Sequence, residues 1–85
     1  KTPLMIDLLE WQEPTDNRPP YPNLYHLGIA RIALSTNDLD SDIAFLKSEG
    51  VEFLSDPATV KIENQPETRF ICFKDPDGTI LELVE

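Results

Sequence analysis

The 85-residue chain carries 16 acidic and 7 basic residues, a formal charge of −9 at pH 7, 40% apolar residues, eight prolines and one cysteine. That charge repels both the phosphate backbone that dominates nucleic-acid affinity and an anionic membrane surface, so neither is expected as a partner. One cysteine makes no internal disulfide, no apolar run nears the roughly 20 residues of a membrane helix, and so short a domain buries only about 60% of its unfolded surface; the expectation is a cytoplasmic protein with a small core that leans on a partner.

The chain begins at Lys1 without an initiator Met or a charged-then-apolar leader, and so reads as a piece of a longer protein. Leu4 to Trp11 (LMIDLLEW) is short, apolar and followed by Gln12-Glu13-Pro14, which predicts a strand, because too few residues precede the breaker for a helix. Residues 12 to 23 hold four prolines among polar neighbours and predict an extended linker. Leu27 to Thr36 (LGIARIALST) alternates like a half-buried strand. A helix is predicted from about Leu39 to Glu49. Asn37 or Asp38 caps it, Asp38, Asp40 and Asp42 crowd the positive end of its dipole, Gly50 closes it, and Leu39, Ile43 and Leu46 form one apolar stripe.

Val51 to Leu54 and Val60 to Glu63 are short extended pieces interrupted by Asp56-Pro57. Thr68 to Lys74 (TRFICFK) and Thr79 to Glu85 (TILELVE) are strand-like runs around the turn Asp75-Pro76-Asp77-Gly78, where Pro76 presets φ and Gly78 accepts a positive one. The order is a strand, a linker, then β-α-β-β-β. This predicts an α+β fold with a four-stranded mixed sheet and one helix on its convex face. Met5 to Glu10 matches Ile80 to Glu85 in character at every position, as a duplicated supersecondary unit or chance between acidic-apolar strands would leave it. The division that follows is residues 1–24, the end strand of a preceding module plus linker, and residues 25–85, a complete βαβββ module.

GIARIALSTNDLD, a helix, GVEF and a closing KDPDGTILELVE resemble the second module of the vicinal oxygen chelate superfamily, which holds glyoxalase I, bleomycin-resistance proteins and extradiol dioxygenases. The resemblance covers Leu27 to Glu85. It implies half of a paired-module cup, completed by a missing N-terminal module or a second copy, and it makes Glu82 the catalytic and metal-binding glutamate, with Asp7 in the equivalent place of the preceding half-repeat. The metal implied is divalent: nickel, zinc, manganese or iron. The pattern departs at Arg31, which stands where the family has its metal-binding histidine, so the cofactor expectation includes none at all. His26 is the only histidine. It lies five residues earlier, roughly 16 Å along a strand and at opposite parity, and reads as a loop histidine.

Parity places Leu81 and Leu83 under the helix and Glu82 with Ile80 and Val84 on the concave face; without the resemblance, Glu82 reads first as the solvent side of an edge strand, and with it as a pocket-facing residue. If Lys74 pairs with Thr79, then Phe73 faces Ile80, Ile71 faces Glu82 and Arg69 faces Val84. Arg69, Ile71, Phe73 and Ile80 are then expected to line the ligand face with Arg31. Phe70 and Cys72 are expected in the core, Cys72 as a structural thiol. Arg31 is expected beside Glu82, bound through two hydrogen bonds, as an anion-binding guanidinium or as a plain surface ion pair. Two functions follow: a metal-dependent lyase, isomerase or dioxygenase acting on a small oxygen-bearing substrate, or a metal-free protein that sequesters a small molecule. An apolar patch of Ile71, Phe73, Ile80 and Val84 is expected to remain exposed in a monomer and to drive pairing, with Leu4 to Trp11 joining a sheet edge.

Overall fold

A computed structural model describes residues 5–85. After residues 5–30, which form no strand or helix, come β1 (Arg31–Ser35), α1 (Leu39–Ser48), β2 (Ala58–Val60), β3 (Thr68–Lys74) and β4 (Ile80–Val84). The sheet order is β1-β4-β3-β2. β1 runs parallel to β4, and β2 and β4 run antiparallel to β3. This is the four-stranded mixed sheet and single helix that the sequence predicts. No helix among the described residues is long and apolar enough to cross a membrane.

Local chemistry fixes the helix ends. The Asp38 carboxylate accepts from the Ser41 amide at 3.1 Å, Asp40 and Asp42 occupy the first turn, and the Thr36 hydroxyl donates to Asp42. At the other end Gly50, at φ 89°, donates to the Lys47 carbonyl at 3.0 Å and Val51 donates to Leu46 at 3.0 Å. That pair of bonds is a Schellman closure, with Val51 and Leu46 supplying its hydrophobic contact. Leu39 and Ile43 then bury against Ile71, Phe73 and Leu83, with Leu34, Leu46, Val51, Phe53 and Leu81 around them. Truncating a core residue such as Ile71 to Ala costs about 2–5 kcal/mol at sites of this kind.

Several predicted strands are corrected. Residues 5–12 form no strand, and Leu4 lies outside the described residues. An apolar run becomes a strand only when a sheet edge receives its backbone groups, and no such pairing is made here. The predicted strand from Leu27 begins only at Arg31. Val51 to Leu54 contributes one bridge, Phe53 to Phe73, and the edge strand resumes at Ala58 rather than Val60, because Asp56-Pro57 breaks the ladder between them.

The β3–β4 register is corrected too. Asp75, not Lys74, closes the hairpin against Thr79: the Asp75 amide donates to the Thr79 carbonyl at 2.9 Å. The Asp75 carboxylate accepts from the amides of Asp77 and Thr79 at 2.9 and 2.8 Å. The loop is therefore Pro76-Asp77-Gly78, three residues with Gly78 at φ 97°. Lys74 pairs with Ile80, Phe73 with Leu81, Cys72 with Glu82 and Phe70 with Val84. A slip of one residue turns every β3 side chain to the other face.

Candidate functional site

On the face away from the helix, three adjacent strands supply one polar cluster. Arg31 begins β1, paired in register with Ile80, and Ala33 pairs with Glu82, so Arg31 and Glu82 share a face one row apart. The Arg31 Nε lies 3.1 Å from Glu82 Oε1; the glutamate side chain is 10% exposed and the arginine 46%. From the other side, Cys72 stands directly opposite Glu82, and its thiol donates to the same Oε1 at 3.7 Å. Burial raises the Cys72 thiol above its ordinary value of 9.0, and the Glu82 charge and hydrogen bond raise it further, while Arg31 pulls it down.

The cluster differs from the expected one. Arg31 pairs with Glu82 as an ion pair whose closest approach is Nε to Oε1, in place of the expected two-bond fork. The cysteine expected in the core belongs to the open face, whereas Ile71 and Phe73, expected to line the ligand face, are core residues 2% and 8% exposed beneath the helix. Arg69 is turned away as well: its guanidinium holds Asp40 at 2.8 Å and reaches Glu85 at 3.4 Å. Its hydrogen bond and charge keep the Asp40 carboxyl below the usual value. Ile80 does lie on the Glu82 face but is 2% exposed. The expected exposed patch of Ile71, Phe73, Ile80 and Val84 is thus not formed, the first three being buried and Val84 half-buried.

Asp7 is exposed in the segment that joins no sheet. His26 is exposed, stacks on Tyr21 with ring centroids 4.0 Å apart, and has Nδ1 2.8 Å from the Leu27 carbonyl. Among the described residues no three His, Cys, Asp or Glu side chains gather as a metal would require. Glu82 and Cys72 offer two donors, and the Arg31 cation already faces the carboxylate oxygen they share. A divalent cation there would meet a fixed positive charge, so this donor set does not fit the metal that the resemblance implies. The association of Cys72 with Glu82 is not legible in the sequence, because it turns on whether the loop holds three residues or four, and Asp75 closing on Thr79 makes it three.

Residues 6–83 match the model of the Glyoxalase/Bleomycin resistance protein/Dioxygenase superfamily, and the chain belongs to that superfamily. It is 33% identical over 81 residues to the uncharacterized protein YaeR of Escherichia coli (strain K12), covering 95% of this chain and 57% of that relative. The glyoxalase family protein from Enterococcus faecalis superposes with a TM-score of 0.59 at 29% identity, over 78% of this chain and 51% of the other. A member of the same superfamily from Sphaerobacter thermophilus DSM 20745 gives 0.53 at 36% identity, over 64% and 40%. The chain thus spans roughly half the length of the relatives it matches.

Proposed function

We propose that residues 25–85 form one module of a paired-module cup, that residues 1–24 end a preceding module and link to it, and that the cup binds a small oxygen-bearing molecule without a metal. The observation that carries this reading is the Arg31–Glu82 contact at 3.1 Å. A guanidinium fixed in the chain supplies the positive charge that a bound cation would otherwise bring, and it takes up the carboxylate that such a cation would need. It leaves no open coordination position, so it holds a ligand oxygen by hydrogen bonds rather than by Lewis-acid activation. Cytoplasmic residence belongs to the same proposal, since a lone thiol suits a reducing compartment.

A second reading is a metal-dependent lyase, isomerase or dioxygenase, with Glu82 as ligand and catalytic group. The observation that favours it is Glu82 itself, a carboxylate buried on the open face of a central strand. Calorimetric titration of nickel, zinc and manganese into the whole protein separates the two. The expected result is weak binding by wild type and at least about tenfold tighter binding by Arg31→His, which puts an imidazole beside Glu82. Tight binding by wild type that disappears in Glu82→Gln would establish the second reading in place of the first.

A further inference from the structure

Glu82 has two cationic neighbours on the open face, placed alike on either side of it. It pairs with Ala33 on β1 and with Cys72 on β3. Arg31 lies two residues before Ala33, Lys74 lies two residues after Cys72, and both pair with Ile80. The two cations therefore share the face and the row of Ile80. Each is diagonal to Glu82, a separation of roughly 7–8 Å across neighbouring strands that long side chains span.

Only one of the two takes the carboxylate. Arg31 does so, while Lys74 is exposed and makes no ion pair among the described residues. The acidic side chains beside Lys74 are not its partners. Asp75 is turned into the loop, where it accepts from the amides of Asp77 and Thr79. Glu52 precedes the Phe53–Phe73 bridge and lines the same hollow as Lys74, without pairing with it. Two cations thus stand around one carboxylate, and one positive charge is left over on this face of a chain whose net charge is −9. A guanidinium carries five donors and an ammonium three, so Glu82 exhausts neither.

We propose that Lys74 and Arg31 together bind the carboxylate of a small ligand over β4, with Lys74 supplying the unneutralised charge and Arg31 its remaining donors. This site rests on the metal-free reading above and adds Lys74 to it. Glu82 stays as the counter-charge that holds the guanidinium in place.

NMR titration of the full chain with acetate and with its neutral analogue acetamide tests it. Acetate is expected to bind about tenfold or more tightly, and to shift the Lys74 Cε resonance but not those of Lys47 and Lys61. Lys74→Gln removes the surplus charge at an exposed position and is expected to weaken acetate about tenfold, whereas Lys74→Arg is expected to retain it within about threefold. Glu82→Gln frees the guanidinium and is expected to tighten acetate by about threefold or more. Should Lys74→Gln fail to fold, the Lys74 Cε shift in wild type still decides. Acetamide binding as tightly as acetate overturns the anion site. Acetate binding that is unchanged in a folded Lys74→Gln but weakened in Arg31→Lys overturns the part of Lys74 and leaves the metal-free reading standing. Tight zinc binding by wild type that disappears in Glu82→Gln, with no response to acetate, removes both.

Discussion

Cys72 carries a thiol whose ionisation is pushed up first by burial and is then tuned by the two charged side chains around it. Its folded value lies above 9.0, so the stability it contributes is fully present below 9.0 and is lost as pH rises through the folded value. Alkylation by iodoacetamide should accordingly show a midpoint above that of an ordinary thiol. Replacing Glu82 by Gln removes a charge that raises the thiol and should move the midpoint down; Arg31→Ala removes one that lowers it and should move the midpoint up. Equal midpoints in wild type and both variants would mean that the three groups do not meet. The same geometry sets an energetic expectation. Arg31→Ala leaves a carboxylate only 10% exposed without its cation and should cost about 1–3 kcal/mol in urea unfolding, an estimate at the lower end because the arginine is half in water. The double variant with Glu82→Gln should cost less than the sum of the two single changes.

The elements were legible where their causes are local and illegible where they depend on a loop count or a partner. Asp38 and Gly50 bound the helix within the sequence, so Leu39–Ser48 falls within one residue of the predicted span. In ILELV the single charged residue, Glu82, marks which face of β4 is away from the helix. TRFICFK has no such contrast: Phe70 and Cys72 at one parity are as apolar as Ile71 and Phe73 at the other. Its face is decided by whether the turn holds three residues or four, and Asp75 decides for three by accepting the Asp77 and Thr79 amides. Gly78, at φ 97° with Pro20 close by, is the residue that turn requires. Gly78→Ala should lower stability by about 1–2 kcal/mol, measured by thermal or urea unfolding, and an unchanged midpoint would mean that the turn has another conformation. Helix and sheet are also tied by Arg69 to Asp40. The Asp40 carboxyl is depressed below 3.8, so this contribution is present above pH 3.8 and disappears as pH falls through the folded value. Asp40→Asn should flatten that part of the acid-unfolding profile and lower stability at neutral pH by the same amount, a small one since the pair is exposed.

Over the whole molecule, apolar surface is distributed as in a chain that associates. The radius of gyration is 15.1 Å, against about 12 Å for a compact domain of this length. Within the segment that joins no strand, Met5, Leu8, Leu9 and Trp11 are 81%, 92%, 79% and 69% exposed. Such a run, whose composition suits a strand, has unpaired backbone groups to offer. β1 and β2 are both sheet edges with groups to receive them. The described core is small, so burying this segment gives association a larger share of the total stability than a bigger domain would leave it. Self-association, or pairing with the remainder of the whole protein, is therefore expected at micromolar concentration. Trp11 is the sole tryptophan and reports directly on it: as concentration rises, its emission should move to shorter wavelength together with the sedimentation coefficient. Leu8→Glu and Trp11→Phe separate the two signals. The first should hold the chain monomeric with a water-exposed tryptophan, while the second should leave association intact and remove the fluorescence. A wild-type chain that sediments as a monomer with unshifted emission across that range would show that the exposed segment is not an association surface of this chain.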